Sequence, residues 1–400
     1  MPLPAMAART QLSLVLARTA SIMHLRRRIT SRTAFMRRAS HKTLQALVWL
    51  TMQLSLRLLL AFGALAAASG EPPASATEVF SIGEHGYSCI KIPYLLVTRS
   101  GAMLALAEAR INSCWDWAGT DLVFKRSFDN GRSWSGMGVV YSNSSNTTQE
   151  WNVIGNAAPL QLMPSGRILL PFCRNNLEVL QTWSDDDGAT WAPPVPIPQV
   201  TRSHWKWVGA GPPGAIQLQS GRIVVPSYHS IVHDTNGELS RSHLMLNDDP
   251  SGAVDKWRLG AAVPVFAHFG LFLTNECQAV EIAPDHILLA ARGVLPHRIQ
   301  ALSIDGGETF QDPYTISITE PLEGCAGSMI SHPNGTLFYS GTVNTDPKRF
   351  NMTLWASHDK GSSWQLHRVV DTGRTAYAAQ AVNATVASHS DEPAGTAACR

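Results

Sequence analysis

Long helices are missing from this chain. No stretch of useful length shows the apolar spacing of an amphipathic helix, so strands must carry the fold. Cysteine is scarce, at six, and none forms a CxxC pair; HExxH is also absent, so neither a zinc site nor a catalytic metal is expected. G-x-S-x-G is absent, which removes the nucleophile elbow of one large hydrolase class. GAGPPG at 209–214 matches G-x-G-x-x-G in letters only: Pro212 and Pro213 lie inside it and AIQLQ, a strand pattern, follows, so no dinucleotide site is expected. Acid is missing altogether from residues 1–70, which hold ten Lys and Arg. The formal charge of +2 therefore misleads, because residues 71–400 keep 22 of the 32 bases against all 30 acids, a net of −8. A body that acidic is a poor holder of phosphates, and no nucleic-acid partner is expected.

The acid-free N-terminus reads as targeting sequence. MQLSLRLLLAFGALAAASG, from Met52, has a basic residue, an apolar run and a small-residue end, the pattern of a secretory signal. Residues 1–51 are then a basic leader, 52–70 a signal peptide or, over 47–68, a signal anchor, and the folded body spans about 76–390. The expected destination is the secretory pathway, secreted or luminal, with membrane contact only through that anchor. Five sequons agree with it, at Asn143, Asn146, Asn334, Asn351 and Asn383. In such a compartment Cys89 and Cys114, which flank one predicted hairpin, are the expected disulfide.

What is abundant is one turn. SFDNGRSW (127–134) returns as SDDDGATW (184–191), SIDGGETF (303–310) and SHDKGSSW (357–364), with a damaged fifth copy in LNDDPSGAVDKW. Ser and Asp bond nearby backbone N–H groups, glycine allows positive φ, and the final aromatic buries a large area between neighbouring strands. Each copy follows a hairpin pattern such as QLMPSGRILLPF or EIAPDHILLAA. From Ser127, through Ser184, Asn247 and Ser303, to Ser357 the steps are 57, 63, 56 and 54 residues. A period above ~40 residues with about four strands per unit signals a β-propeller, and the length suits six units. The expected fold is all-β, a six-bladed β-propeller in which the repeated turn is scaffold.

The chemistry must lie elsewhere. Glu276 in LTNECQAVEI and Arg292 in LLAARG put charges inside apolar strands, where they are costly unless paired or functional. Asp116 lies between two tryptophans in NSCWDWAGTD, and Tyr377 lies in RTAYAAQ. The scattered histidines, His243 and His286 among them, read as structural.

At these residues the chain resembles the exo-α-sialidases, six-bladed propellers whose repeated turns are called Asp boxes. The resemblance covers about residues 78–380 and rests on order and spacing: CIKIPYLL, then LALAEARINSCWDWAGTDLVFKRSFDNGRSW, then TNECQAVEIAPDHILLAARG, then PKRFNMTLWASHDKGSSW with DTGRTAYAAQ. It implies hydrolysis of terminal sialic acid from glycans or glycolipids with retention and without a cofactor. Asp116 would be the acid/base, Tyr377 the nucleophile and Glu276 the base for its proton. Arg292 and Arg349 would hold the sugar carboxylate together with Lys91, Arg110 would reach the 4-hydroxyl, and Asn156 in GNAAPL would line the N-acyl pocket. A neutral phenol suits a substrate whose reacting carbon bears a carboxylate, since an anionic nucleophile would meet like charge.

Two departures matter. Lys91 stands where the family has Arg, which keeps the charge and loses the two-pronged geometry. After Tyr377 the chain is rich in Ala, Ser and Thr, with QAVNATVA as a weak sixth hairpin, so the end is expected to be truncated or divergent. These departures leave three rivals open: a sialoglycan-binding propeller without turnover, a scaffold sharing only the boxes, and transfer to a sugar instead of water. The scaffold reading requires the charged residues to lie apart.

Overall fold

The chain divides into two units, Met1–Ala74 and Ser75–Arg400, and the computed structural model describes only residues of the second: 76–142, 152–232, 239–267, 270–321, 324–343, 348–382 and 395–398. The leader, the signal or anchor segment, Asn143, Asn146, Asn383 and Cys399 lie outside the described residues.

Twenty-six short strands form the described body. The first sheet is an antiparallel meander of β1 (Cys89–Val97), β2 (Met103–Arg110), β3 (Thr120–Ser127) and β4 (Gly138–Tyr141). The second holds β5 (Ile154–Gly155), β6 (Leu160–Gln161), β7 (Ile168–Arg174), β8 (Glu178–Ser184) and β9 (Val195–Pro196). The third holds β10 (Trp207–Ala210), β11 (Ile216–Gln217), β12 (Ile223–Ser230), β13 (Ser240–Asn247) and β14 (Trp257–Ala262). A small pair, β15 (Phe266–Ala267) and β16 (Gly270–Leu271), precedes the fourth sheet of β17 (Thr274–Ala283), β18 (His286–Gly293), β19 (His297–Ser303) and β20 (Tyr314–Thr319). The fifth is β21 (Ser328–Ser331), β22 (Leu337–Thr342), β23 (Phe350–Ser357) and β24 (Gln365–Arg374). A last pair, β25 (Ala378–Ala381) and β26 (Gly395–Ala398), follows. Helix is limited, among the described residues, to three short 3-10 turns.

The sheets neighbour one another in sequence order, and β25 lies against both β21 and β1, so the ring closes on itself as a β-propeller. Five full blades are described where the spacing predicts six, and the two-stranded β25–β26 sheet occupies the place between the fifth and the first. The difference has a visible basis. Each pair of adjacent full blades shares one apolar cluster, such as Leu106, Leu122 and Phe172 between the first and second. The facing sides of the first and fifth blades keep separate small clusters, and residues 383–394, which would link β25 to β26, lie outside the described residues.

The repeated turn is scaffold, as its residue types predict. In the first copy the Ser127 hydroxyl donates to Asp129 Oδ1 at 2.8 Å, Asp129 accepts the Ser133 N–H at 2.9 Å and its hydroxyl at 2.6 Å, and Gly131 N–H reaches Ser127 Oγ at 2.9 Å. The same bonds recur around Asp186, Asp305 and Asp359. The closing aromatic plugs between sheets rather than only between strands: Trp191, Trp257, Phe310 and Trp364 each pack into the cluster that joins their blade to the one before.

These turns make the fold acid-sensitive in a defined window. Asp129, Asp186, Asp305 and Asp359 are each held at about 2. At Asp129 and Asp359 the main cause is the bond from Ser133 or Ser363. At Asp186 and Asp305 partial burial pushes upward and is outweighed by the bonds from Thr190 and Thr309. An unfolded Asp titrates near ~3.9, so folded carboxyls lying lower stabilise the fold above that pH and lose the contribution as pH falls toward about 2. Melting followed by circular dichroism from pH 7 to 2 is expected to show its steepest loss below about pH 4, with a shallower acid limb in Asp305→Asn.

Candidate active site

One end of β2 sets the site. Strand alternation puts Glu108 and Arg110 on the same face, and both are buried. Arg110 Nη2 donates to Glu108 Oε2 at 3.1 Å. Its Nη1 donates to Asp116 Oδ1 at 2.6 Å and to the Cys114 carbonyl at 2.8 Å. Asp116, whose side chain is 53% exposed, is thus aimed by a buried guanidinium from a loop with no strand of its own. That loop is tied down twice. Cys114 is disulfide-bonded to Cys89, the pair expected from the sequence, and Trp117 packs edge-on against Trp207 with centroids 5.2 Å apart.

Lys91 enters from β1. The register of β1 on β2 shifts between Lys91 and Tyr94, and Ile92 takes φ 54°, a rare conformation for a β-branched residue. Lys91 Nζ lies 3.8 Å from Asp116 Oδ1 and donates to the Cys114 carbonyl at 3.4 Å. Burial raises the pKa of the Asp116 carboxyl, but Arg110, with Lys91 and Arg349 beyond it, outweighs burial and holds it below the usual carboxylate value.

The fourth blade supplies the second charged pair. Thr274 faces Gly293 and Cys277 faces Ala291, so β17 has one residue more than β18 between those points, a bulge at Asn275–Glu276 opposite Arg292. Glu276 and Arg292 are buried, and Arg292 Nη1 donates to Glu276 Oε2 at 2.8 Å. The two charges that stood out in apolar strands are therefore partners.

Arg349 and Tyr377 come from the two ends of the β23–β24 hairpin. The Arg349 guanidinium lies 5.6 Å from the Tyr377 ring centroid, and its Nη2 donates to the Gly324 carbonyl at 3.2 Å. Gly324 has φ +56°, and a Cβ there would meet Arg292 Cγ at 2.9 Å, so this close approach to both arginines requires glycine. Arg349 also feels Arg292 as a like charge, and Asp116 feels Arg349, so cations from the first, fourth and fifth blades share one region. Burial pushes the Tyr377 hydroxyl well above its ordinary value, the Glu276 charge adds to this, and Arg292 and Arg349 pull the other way. The resting phenol is neutral, and Glu276 is the anion it senses first.

Asn156 sits in the second blade with φ 49°. Its N–H donates to Glu108 Oε1 at 2.9 Å, its Nδ2 donates to Asn176 Oδ1 at 2.6 Å, and its Oδ1 accepts from Tyr228 at 3.4 Å. The structure thus brings all eight sequence-selected residues into connected networks at the ring. It adds three that sequence reading passed over. Glu108 also accepts from the Tyr94 hydroxyl at 3.1 Å and ties the first blade to the second; its place in LALAEAR, two residues before an arginine in a buried strand, is a readable signal. Tyr228 senses both Glu276 and Tyr377 and bonds Asn156. Cys325 is a buried thiol, pushed up to about 11 by burial, with Arg349 and Arg292 opposing that shift. Nothing local in the sequence distinguishes Tyr228 or Cys325 from core residues.

Residues 119–388 match the family model of the BNR repeat-like domain. Sialidase-3 of Bos taurus is 30% identical over 274 residues, covering 60% of this chain and 61% of that protein. Sialidase-2 of Cricetulus griseus is 28% identical over 216 residues, covering 48% and 54%. The chain therefore spans only about three fifths of the length of the first of these relatives and about half of the second. Among solved structures, the Hadza microbial sialidase Hz136 superposes with a TM-score of 0.66 at 23% identity, over 75% of this chain and 62% of that one. A leech intramolecular trans-sialidase complexed with 2,7-anhydro-Neu5Ac superposes at 0.62 with 16% identity, over 77% and 65%. At these identities the superpositions speak for the propeller alone. With two thirds of its length inside the family model, the chain belongs to the BNR repeat-like domain family, and the curated relatives it resembles there are sialidases.

Proposed function

We propose that this protein is an exo-α-sialidase that removes terminal sialic acid from glycoconjugates with retention, on a propeller whose β25–β26 pair is the inner part of a sixth blade. The observation that carries the reading is the meeting of Arg292 and Arg349, from two blades, around Tyr377 and Glu276, with Lys91 and Arg110 of a third blade holding Asp116, whose carboxyl also feels Arg349. Cations gathered against their mutual repulsion are what a bound carboxylate requires. Tyr377 attacks the anomeric carbon as its proton passes to Glu276, and Asp116 protonates the leaving oxygen, then activates water. The substrate anion assists the first of these Asp116 roles, the protonation of the leaving oxygen. Its charge offsets the cations that hold the Asp116 pKa down, Arg110 first and then Lys91 and Arg349, so binding moves the acid toward its protonated form. The exposed sequons at Asn334 and Asn351 and the Cys89–Cys114 bond support a secretory location for the described unit.

The test is release of a fluorogenic aglycone from an α-sialoside by the full chain, with the first product anomer read by proton NMR. Turnover with the α-anomer first supports the proposal. Binding of sialic acid with no release would favour the sialoglycan-binding reading, whose specific support is Lys91, an ammonium already engaged by Cys114 and Asp116. Lys91→Arg separates the two further: restoring the fork is expected to lower KM about tenfold, the scale of one charge-assisted bond, with kcat changed less than about threefold. An unchanged KM would place Lys91 outside the carboxylate clamp.

A further inference from the structure

Cys89 lies two residues before Lys91, and Cys114 lies two residues before Asp116. The Cys89–Cys114 bond therefore closes one side of a ring whose other side is the Lys91–Asp116 contact at 3.8 Å. The Cys114 carbonyl belongs to that ring and accepts from Arg110 at 2.8 Å and from Lys91 at 3.4 Å. The connection from Arg110 to Thr120 also carries contacts of its own, beside the Arg110–Asp116 pair at 2.6 Å. Its ends pair, Ile111 N–H bonds the Gly119 carbonyl at 2.7 Å, Ala118 N–H closes a turn on Trp115 at 3.0 Å, and Trp117 packs on Trp207. Residues Cys114, Trp115 and Asp116 are all exposed, so the cross-link is open to solvent on its Cys114 side, while Cys173, Cys277 and Cys325 are buried free thiols.

We propose that the Cys89–Cys114 disulfide is a reducible latch on the acid-bearing loop, and that a small dithiol reductant disarms the site by releasing Lys91 and Asp116 together. This rests on the sialidase reading for its catalytic consequence, though not for its structural one. The step balances. A thiolate of the dithiol attacks Cys114 Sγ, the S–S bond breaks, and the electron pair leaves on Cys89 Sγ, which takes a proton. The second thiol of the reductant then displaces Cys114 Sγ from the mixed disulfide, and Cys114 takes the second proton. Two electrons and two protons pass to the protein, and the reductant ends as its own cyclic disulfide. With the bond open, the Cys114 carbonyl is no longer fixed under Arg110 and Lys91, and Asp116 loses the geometry that proton transfer needs.

The experiment compares three forms of the full chain: oxidised, reduced with dithiothreitol, and Cys89→Ser/Cys114→Ser. Alkylation and peptide mapping verify that only Cys89 and Cys114 open among the described cysteines. The expected result is a loss in kcat of about 10- to 100-fold on reduction, the scale of a misplaced catalytic group, with a smaller change in KM and recovery on reoxidation. Hydrogen exchange is expected to quicken in residues 111–119 and to stay unchanged in the strand His286–Gly293. The double variant should match the reduced protein; if it fails to fold, the reversible cycle of the wild type decides. Wild-type kcat in the reduced protein, or unchanged exchange in 111–119, would overturn the latch. So would faster exchange in every blade, because the bond would then be a general brace. If the oxidised protein shows no turnover at all, the sialidase reading falls, and the exchange contrast alone decides whether the disulfide holds the loop.

Discussion

Tyr377→Phe is expected to abolish sialoside turnover while leaving the protein folded. The substitution removes one oxygen and keeps the ring, so the packing of Tyr377 on the first- and second-blade cluster and the contact with Arg349 at 5.6 Å both survive. Losing a covalent nucleophile costs kcat by at least about 10³-fold when nothing else can form the intermediate. Burial, with the Glu276 charge, holds the phenol proton on the resting enzyme, so attack depends on handing that proton on within the same step. Glu276→Gln therefore tests the same event from the other side, with an expected loss of about 10²- to 10⁴-fold in kcat for a missing proton acceptor. The two changes should not add, because both act on one transfer; a double variant no worse than Tyr377→Phe alone is the expected signature. Residual kcat within about tenfold of wild type in Tyr377→Phe would remove this residue from the mechanism.

How much of this was readable beforehand follows from the range of each interaction. The repeated turn was legible because its bonds span two to four residues, from Ser127 to Asp129 and from Asp129 to Ser133. The Cys89–Cys114 pair was legible because both residues flank one hairpin, whereas the Arg110–Asp116 contact across the following loop was not read. Glu276 and Arg292 announced themselves as charges in apolar strands, yet their mutual contact depends on a one-residue bulge in β17 that no periodicity reports. The bulge beside Lys91 is equally silent. His243, expected to be structural, is buried with its Nδ1 3.1 Å from His229 Nδ1, a contact between two strands with no local signature. The interblade links are hardest of all. Tyr228 reaches Asn156 across 72 positions, and Glu108 meets the Asn156 N–H across 48. The count of blades met the same limit: spacing gives a period, but closure between β25 and β1 is a property of the whole ring.

The largest expected effect on stability lies in a pair no local pattern revealed. Arg298 on β19 has 0% exposure, and Glu320, just past β20, has 1%. Arg298 Nη1 donates to Glu320 Oε1 at 3.2 Å and to the Cys325 carbonyl at 3.0 Å, and its Nη2 donates to the Ala290 carbonyl at 3.3 Å. The Tyr339 hydroxyl donates to the same Glu320 oxygen, and its ring lies 5.0 Å from the guanidinium. Glu320→Ala would leave a fully buried cation without its anion, a change that costs about 3–5 kcal/mol. For a body of this size that is a fall in melting temperature on the order of 4–8 °C. Removing both charges gives a different result. Arg298→Met with Glu320→Leu ends the desolvation penalty along with the attraction, so the double variant is expected to melt well above Glu320→Ala and within about 2 kcal/mol of wild type. Its activity should nevertheless fall. Arg298 anchors the Cys325 carbonyl, and the neighbouring Gly324 carbonyl is the acceptor that positions Arg349. A double variant that is stable but has a raised KM would show that this pair is kept for the position of Arg349 rather than for the stability of the blade. A double variant as unstable as Glu320→Ala would instead locate the cost in packing around Tyr339 and Trp364, whose ring centroids lie 6.2 Å apart in the same cluster.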